Sequence, residues 1–276
     1  MVYRETISRE SAHPCKFLPV AQQTKALKTR ADVALVDRGL VATRSRAQAV
    51  ILAGKVFSGE RRVEKAGETV MDNAPLEVRG QDHPWVSRGG LKLDHALDAL
   101  AIDAAGVVAI DVGSSTGGFT DVLLARGAAR VYAVDVGHGQ FAWKLRNDYR
   151  VVVLEKTNAR HLTAEYVSMP VSAIVCDASF IGLETVLPAS MALAVPGAWL
   201  VALIKPQFEV GRDQVGKKGV VRDPALHQAV CDRIRGWLDG QPGWRVIGLA
   251  ESPITGPEGN KEFLIGARYD GVTHVR

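Results

Sequence analysis

The strongest constraint on the fold is a repeated alternation of short apolar segments and amphipathic stretches from residue 87 onward. The apolar segments have the length and continuous hydrophobicity of strands that are buried on both faces, as parallel sheets require. Helical periodicity between them predicts an α/β domain with a doubly wound sheet. The predicted strands are 107–112, 131–136, 151–154, 173–176, 200–204, 246–250 and 263–268, and the predicted helices are 119–126, 140–145, 183–194 and 224–238.

A smaller unit precedes this domain and carries the excess positive charge of the chain. Residues 1–90 hold 15 Lys and Arg against 10 Asp and Glu, whereas the remaining residues hold 19 against 20. Eight of the basic side chains, against three acidic ones, lie within residues 28–62. This concentration is expected of a module that binds a polyanion such as nucleic acid, although a solvated basic face is the commoner cause.

The pattern within this unit predicts a small α+β domain over residues 30–80. A short helix is expected to end at Gly39, and a second helix runs from Arg44 to a terminating Gly54. Strand-like alternation then continues as far as Val78. Two flanking segments lack a sustained apolar period: we predict a flexible arm over residues 1–29 and a linker over residues 81–86 before the domain of residues 87–276.

The bulk composition excludes several classes of protein. Cys15, Cys176 and Cys231 are far apart and form no pair with the spacing of a disulfide framework or a zinc site, so a reducing cytoplasm is expected. The N-terminus lacks the apolar core of a secretory signal. The uncharged segment 189–204 is interrupted by Pro196 and Gly197 and is shorter than the roughly 20 residues that a membrane span needs. We therefore expect no membrane partner and no metal.

The loop after the first predicted strand of the larger domain has the glycines of a cofactor-binding turn. It runs from Asp111 through Gly113, Ser115 and Gly117 to Phe119. Such loops let the backbone approach a ligand closely at a helix N-terminus. A dinucleotide site would place a glycine at Ser115, so the loop favours a cofactor without phosphate, such as an aminoacyl sulfonium.

Two later strand ends supply the rest of the predicted cofactor site. Asp135 ends the second strand about 20 residues after the loop, where an acid accepts both ribose hydroxyls of an adenosine. Asn158 follows the third strand and is expected on the adenine side. The alternative is that these segments are only glycine-rich turns.

Four charged residues are candidates for chemistry. Asp177 and Lys205 follow the fourth and fifth predicted strands, and strand carboxyl ends line the crevice of open α/β sheets. Lys92 lies in a helix before the first strand, and Glu262 precedes the last. For Asp177 the alternative is a cofactor contact, and for Glu262 an exposed ion pair with Lys261.

At these positions the sequence resembles a known family. The segments SRGGLKL, DVGSSTGGFTDVLL, DVGHGQFAWKLRND, TNAR, IKPQFEVG and GPEGNKEF are similar to the TlyA (hemolysin A) family, over about residues 30–270. The resemblance implies an FtsJ-like, Rossmann-like methyltransferase domain that uses S-adenosylmethionine to methylate a cytidine ribose 2′-hydroxyl of ribosomal RNA. It also implies an N-terminal RNA-binding domain of the ribosomal protein S-four type and a catalytic tetrad of Lys92, Asp177, Lys205 and Glu262.

The implied reaction assigns a role to each member of the tetrad. A ribose hydroxyl must lose its proton as its oxygen attacks, and a neutral Lys205 is expected to be the base. A sulfonium about 6 Å away raises the free energy of a charged lysine by roughly 2.8 kcal/mol at an effective dielectric constant near 20. Lys92 and Asp177 are expected to position groups, and Glu262 to support the substrate ribose.

The basic unit and two aromatic residues complete the predicted site. About half of the basic candidates are expected to touch RNA phosphates and the rest to be solvated. Lys217 and Lys218 are expected either to clamp substrate or to be loop charges. Phe119 and Phe208 are candidates for stacking on a base or on adenine, with core packing as the alternative. The predicted RNA-contacting residues are Arg30, Arg38, Arg44, Arg46 and Lys55.

Three other functions were weighed against this one. A dehydrogenase is disfavoured by Ser115, and a ribosome-assembly factor without catalysis is disfavoured by the intact tetrad. A pore-forming protein is disfavoured because no spanning or strongly amphipathic segment is seen. The chain ends soon after the last predicted strand, from which we expect modification of the large ribosomal subunit alone.

Overall fold

The computed structural model describes residues 28–41, 43–80 and 83–272, which begin with a small α+β unit. Strand β1 pairs antiparallel with β4, and β2 pairs antiparallel with both β3 and β5. Buried Leu35, Ile51 and Val56 form the centre of its core. The elements are β1 (Lys28–Arg30), α1 (Ala31–Asp37), α2 (Arg44–Leu52), β2 (Val56–Ser58), β3 (Arg61–Arg62), β4 (Thr69–Met71) and β5 (Glu77–Val78).

The start of this unit differs from the predicted boundary at residue 30. Lys28 and Thr29 pair with Met71 and Val70, so they belong to the unit and not to a preceding arm. Three residues are too few for a visible alternation, which is why the sequence pattern did not indicate this strand. The rest of the predicted arm, residues 1–27, lies outside the described residues.

The larger domain is built on a seven-stranded sheet with the order β11-β12-β10-β9-β6-β7-β8. Its pairings are parallel from β10 through β9, β6 and β7 to β8, and β12 is antiparallel to both of its neighbours. The elements are α3 (Gly89–Ala99), β6 (Val108–Val112), α4 (Gly118–Ala125), β7 (Arg130–Val134), α5 (Trp143–Arg146), β8 (Val151–Leu154), β9 (Val171–Cys176), α6 (Leu183–Val186), α7 (Pro188–Met191), β10 (Ala194–Ile204), α8 (Pro206–Glu209), α9 (Pro224–Asp239), β11 (Trp244–Glu251) and β12 (Phe263–Tyr269).

Burial on both faces explains the uninterrupted hydrophobicity of the central strands. Ile110 and Ile174 point into one core, which contains α9, whereas Ala109 and Val175 point into the other, which contains α3 and α4. Because neighbouring residues face opposite cores, most positions of these strands are apolar, with Asp111 in β6 and Ser172 in β9 as polar exceptions. The predicted doubly wound α/β fold is therefore confirmed.

Two predicted helices are shorter in the structure. The segment predicted as 183–194 divides into α6 and α7 at Pro188, which starts the second helix because proline has no N–H to continue the first. The predicted helix 140–145 begins only at Trp143, since the preceding residues form a loop. In both cases apolar spacing overestimated helix length.

Two further findings concern exclusions made from composition. None of the helices within the described residues is long and apolar enough to span a bilayer. Cys176 and Cys231 are buried free thiols, and burial raises their pKa values to about 12 and about 11. Cys15 lies outside the described residues.

Candidate active site

The turn between β6 and α4 has a backbone that requires glycine at two points. Gly113 and Gly117 have φ values of 77° and 93°, in the left-handed region. A Cβ on Gly113 would lie 2.8 Å from Cα of Ala178, so the loop packs against the segment that follows β9. Ser115 also has a positive φ, of 48°, although it is not glycine. The turn is therefore compact and partly strained.

Asp135 holds this turn in place. One of its carboxylate oxygens accepts a hydrogen bond from Ser115 N, and the other accepts one from Gly137 N, both at 2.7 Å. The hydrogen bond from Ser115 N to this carboxylate thus stabilises the backbone conformation in which Ser115 has a positive φ. Each oxygen retains further acceptor capacity, because a carboxylate has about four lone-pair sites.

Asp111, the first residue of the loop motif, is completely buried. Its Oδ2 accepts a hydrogen bond from the Thr120 hydroxyl at 2.6 Å, whereas its Oδ1 has no hydrogen-bond partner among the described residues. Burial raises the pKa of Asp111 to about 7, against the opposing effect of Thr120, and the negative charges of Asp177 and Asp135 add to the rise. A cation bound nearby would favour its charged form.

Lys205 lies at the end of β10 among three oxygens. Its Nζ is 2.7 Å from Asp177 Oδ1, in an ion pair, and donates hydrogen bonds to Asp177 O and Ser179 Oγ at 2.9 Å each. Nζ therefore makes two hydrogen bonds and one ion-pair contact, and Asp177 Oδ1 accepts no hydrogen bond within the described residues. Asp177 itself follows β9, the neighbouring strand, as the alternation of strands and helices predicted.

Lys92 and Glu262 form a second ion pair. Lys92 Nζ donates to Glu262 Oε2 at 2.5 Å, and both side chains are buried. The other oxygen of Glu262 has no hydrogen-bond partner among the described residues. That oxygen faces Gly256, where an added Cβ would collide with the carboxylate. A glycine at 256 therefore leaves room for the acid.

Both ion pairs and the cofactor-type loop meet at one cavity of about 910 Å³. Lys92, Asp177 and Lys205 line it, and Glu262 is adjacent through Gly256. Asp111 lines the same cavity. The four candidates therefore converge, but as two separate pairs, Lys205 with Asp177 and Lys92 with Glu262.

Two predicted cofactor contacts have other roles in the structure. Phe119 is 3 % exposed and packs in a hydrophobic core, with only part of the ring at the cavity. Phe119 therefore packs in the core, which was the alternative to stacking on a ligand, because α4 directs its side chain inward. Asn158 accepts a hydrogen bond from Arg160 N and caps a short 3₁₀ turn, and it does not line the cavity.

An aromatic residue that the sequence patterns did not single out follows Ser179, whose hydroxyl accepts a hydrogen bond from Lys205. Phe180 is 89 % exposed and has a φ of 65°, which is rare for a bulky residue. Its ring contacts that of Phe208, with 4.9 Å between centroids. The available sequence signal for Phe180 was its position three residues after Asp177, at the end of a strand where ligand-binding residues are expected.

The basic side chains of the N-terminal unit are mostly engaged within the chain. Asp32 is buried and accepts hydrogen bonds from Arg30, Arg44 and Gln48. These bonds, that of Arg30 foremost, hold the pKa of Asp32 well below its usual range. Two of the predicted RNA contacts therefore neutralise a structural acid, and both remain about half exposed.

The other three predicted RNA contacts differ from one another. Arg38 donates to the carbonyls of Met71, Asp72 and Ala74 and so fixes a turn. Lys55 donates to Gly80 O, whereas Arg46 is exposed and has no partner within the part of the chain that is described. Arg46 and Lys55 both line the large cavity.

The remaining candidates give no further ligand site. Lys217 and Lys218 are exposed in a 3₁₀ turn and do not line the cavity, which agrees with the loop-charge alternative. Across residues 28–41, 43–80 and 83–272, no group of three or more His, Cys, Asp or Glu side chains has the geometry of a metal site.

Comparison with known proteins places these features in a family. A sequence profile of the FtsJ-like methyltransferases matches residues 85–269. The chain is 49 % identical to the 16S/23S rRNA (cytidine-2′-O)-methyltransferase TlyA of Mycobacterium tuberculosis, covering 88 % of this chain and 91 % of the relative. It is 36 % identical to the 23S rRNA (cytidine-2′-O)-methyltransferase TlyA of Campylobacter jejuni, over 65 % of this chain and 69 % of that protein.

A solved structure agrees with this assignment. A hemolysin candidate from Streptococcus thermophilus is 41 % identical to this chain and superimposes on it with a TM-score of 0.68. The match covers 89 % of this chain and 90 % of the other protein. Both domains therefore have counterparts in one known protein. The chain belongs to the FtsJ-like methyltransferase family, in its TlyA branch, as its motifs predicted.

Proposed function

We propose that this protein transfers a methyl group from S-adenosylmethionine to the ribose 2′-hydroxyl of a cytidine in ribosomal RNA. The observation that carries the proposal is the convergence of the Lys205–Asp177 and Lys92–Glu262 pairs on the cavity that also receives the loop of Asp111. The TlyA relatives have this activity in their names. Ribosomal RNA as partner also implies work in the cytoplasm.

The residues around the loop fit a cationic adenosyl cofactor. Asp111 Oδ1 is a buried acceptor without a hydrogen-bond partner, suited to the positively charged amino-acid end. Asp135, at the end of β7, has acceptor capacity for ribose hydroxyls. Gly113 and Gly117 allow a close approach of the backbone. The cofactor supplies an electrophilic methyl group, and these side chains would bind and orient it.

Lys205 is proposed as the group that takes the proton of the attacking hydroxyl. To accept that proton the lysine must be a neutral amine, a form that the positive charge of a bound sulfonium would favour. Asp177 and Ser179 fix the direction of Nζ. Much of the rate acceleration would come from this alignment. Holding two reactants in a productive orientation can lower the activation free energy by about 7 kcal/mol or more in favourable cases.

The Lys92–Glu262 pair is proposed to orient the substrate ribose. Glu262 Oε1 is a buried acceptor, so it is suited to a hydroxyl donor that enters from the cavity. Lys92 holds the acid in place through its hydrogen bond to Oε2. The pair thereby offers a hydrogen-bond acceptor without supplying a second base.

Phe180 is proposed as a platform for the base of the target nucleotide. Its ring is exposed, and Asp177 and Ser179, both in contact with Lys205, precede it directly in the chain. Stacking of one base on an aromatic side chain contributes about 1–3 kcal/mol. Replacement of Phe180 by alanine is therefore expected to raise KM for the RNA, whereas replacement by tyrosine should preserve it.

Part of the cavity wall comes from the N-terminal unit. Arg46 and Lys55 are basic residues of that wall, so an RNA strand held there can extend from the RNA-binding unit to the catalytic pair. Phosphate contacts of this kind set position and not sequence. We propose that the unit delivers the target nucleotide to the cavity.

The decisive experiment is transfer of a labelled methyl group to ribosomal subunits that lack the modification, followed by mapping of 2′-O-methylated cytidines. Both subunits should be assayed, because the relative named for both subunits is more similar to this chain than the relative named for the large subunit alone. Label on a cytidine 2′-oxygen is the expected result. Label on a base, or none with intact cofactor binding, would refute the proposal.

A further inference from the structure

The two loops that carry the catalytic lysine pair are joined by a carboxylate outside that pair. Glu209 ends α8, four residues after Lys205, and its side chain is 3 % exposed. Its Oε1 accepts a hydrogen bond from Leu183 N at 2.8 Å, at the start of α6. The segment that begins at Asp177 is therefore tied at its far end to the segment that begins at Lys205.

Arg233 on α9 holds this carboxylate in place. Its Nη2 donates to Glu209 Oε2 at 2.8 Å and to Glu209 O at 3.0 Å, and its Nη1 pairs with Glu184 at 2.8 Å. Gly182 gives the carboxylate room, since a Cβ there would lie 3.2 Å from Glu209 Oε2. Glu209 is thus fixed from one side and caps the α6 backbone from the other.

Between the two anchored ends lies the strained residue. Phe180 has the left-handed φ of 65°, and a bulky side chain adopts it only where the surroundings enforce it. Asp177 N donates to Val112 O on one side of Phe180, and Leu183 N donates to Glu209 on the other. If the second anchor is released, the loop can relax toward a favourable φ.

We propose that Glu209 is a positioning residue that holds Phe180 in its exposed, left-handed conformation by tying the loop after β9 to the helix after β10. The inference rests on the proposed function, because it assigns to Phe180 the contact with the target nucleotide. Neither Glu209 nor Phe180 is among the residues that line the cavity, and the hydrogen bonds of the Glu209 carboxylate go to Leu183 N and Arg233. The effect of Glu209 is therefore expected in substrate binding and not in cofactor binding.

The primary test is a double-mutant cycle between Glu209→Ala and Phe180→Ala, with kcat and KM measured on ribosomal subunits that lack the modification. Glu209→Ala should raise KM about tenfold and leave the Kd for S-adenosylmethionine within about twofold. In the Phe180→Ala background the same change should add less than about twofold, because the loop no longer carries the ring. If the increases in KM of the two single variants multiply in the double variant, the two residues act independently and the proposal is overturned.

Three further variants separate positioning from stability. Glu209→Gln keeps an acceptor for Leu183 N, so its KM should be close to that of the wild type. A KM for Glu209→Gln as high as that of Glu209→Ala would contradict the proposal. Glu184→Ala removes the other partner of Arg233 without freeing the loop and should leave KM unchanged. If Glu209→Ala does not fold, Gly182→Ala serves in its place, since the added methyl group displaces the carboxylate and should raise KM two- to threefold.

The outcomes distinguish this proposal from the function on which it rests. A wild-type protein that transfers no methyl group to ribosomal RNA refutes the proposed function. A wild-type protein that transfers it, together with a Glu209→Ala variant of normal KM, refutes only the role of Glu209.

Discussion

The N-terminal unit and the methyltransferase domain use charge in opposite ways. In the N-terminal unit the one buried acid, Asp32, is surrounded by arginines that remain about half exposed, and the unit carries the surplus of positive charge. In the larger domain, buried lysines pair with acids at the floor of a cavity. The first arrangement stabilises a small fold and leaves a basic face. The second leaves acceptor atoms free for ligands.

The comparison shows which kind of sequence signal identifies a particular residue. A net surplus of basic residues indicated the partner of the unit but not the side chains that contact it: Arg38 proved to hold a turn and Arg46 proved to be free. Position at a strand end located Asp177 and Lys205 individually, because the carboxyl ends of parallel strands meet at one edge. Topology is thus the more specific signal.

Lys205→Ala gives the sharpest test of the active-site half of this comparison. Removal of Nζ eliminates the proposed base and the cation that is paired with Asp177, so methyl transfer should fall at least about 10³-fold, or about 4 kcal/mol. Single-turnover methylation and calorimetric binding of S-adenosylmethionine measure the two effects separately. Cofactor affinity should change less than about threefold. A variant with near-normal turnover would remove Lys205 from the reaction.

Asp111→Asn tests whether burial without a paired cation raises the pKa of Asp111 and so makes the stability of the protein depend on pH. The folded protein keeps Asp111 protonated up to about pH 7, whereas the unfolded chain loses this proton at about 3.8. The unfolded state is therefore favoured as the pH rises from about 4 to about 7, and the group lowers the free energy of unfolding by about 3–4 kcal/mol over that window.

The measurement is urea unfolding of wild type and variant at pH 5 and pH 8. Since the asparagine does not ionise, the stability of the variant relative to the wild type should be higher at pH 8 than at pH 5 by about 2.7 kcal/mol, because only the two pH units between 5 and the folded pKa of about 7 contribute. Bound S-adenosylmethionine should reduce the difference, because a cation favours the charged aspartate. A difference independent of pH would show that Asp111 is already ionised.

Glu262→Ala should lower the free energy of unfolding by about 3 kcal/mol, because it leaves Lys92 buried without a partner. A double replacement, Lys92→Met with Glu262→Leu, should recover that stability while methyl transfer remains lost. Thermal denaturation and the methylation assay together measure both. If the double variant were active, the pair would serve stability alone and would resemble Asp32 more than Lys205.

The sequence predicted the fold well but the details of the site only in part. The alternation of strands and helices yielded the sheet, and the strand ends yielded Asp177 and Lys205, since both depend on local patterns. The tetrad as a set of four, with Lys92 and Glu262, was implied only by the resemblance to a known family. The division into two pairs depends on side-chain distances across Lys92–Glu262, which are 170 residues apart. Phe180 was not predicted because its exposure follows from a backbone angle, which composition and periodicity do not encode.

A smaller effect separates the two kinds of arginine in the N-terminal unit. Arg46→Ala removes a free cation from the cavity wall, so binding to ribosomal subunits should weaken by about 1 kcal/mol and the slope of log Kd against log salt should change by about one. Arg38→Ala removes three hydrogen bonds to carbonyls and should lower the stability of the unit while leaving the salt slope unaltered well below its melting temperature. Binding titrations at several salt concentrations, with circular dichroism melting curves for both variants, distinguish the two effects. Equal slopes for the two variants would mean that exposure does not select the RNA contacts and that the basic face acts only through its total charge.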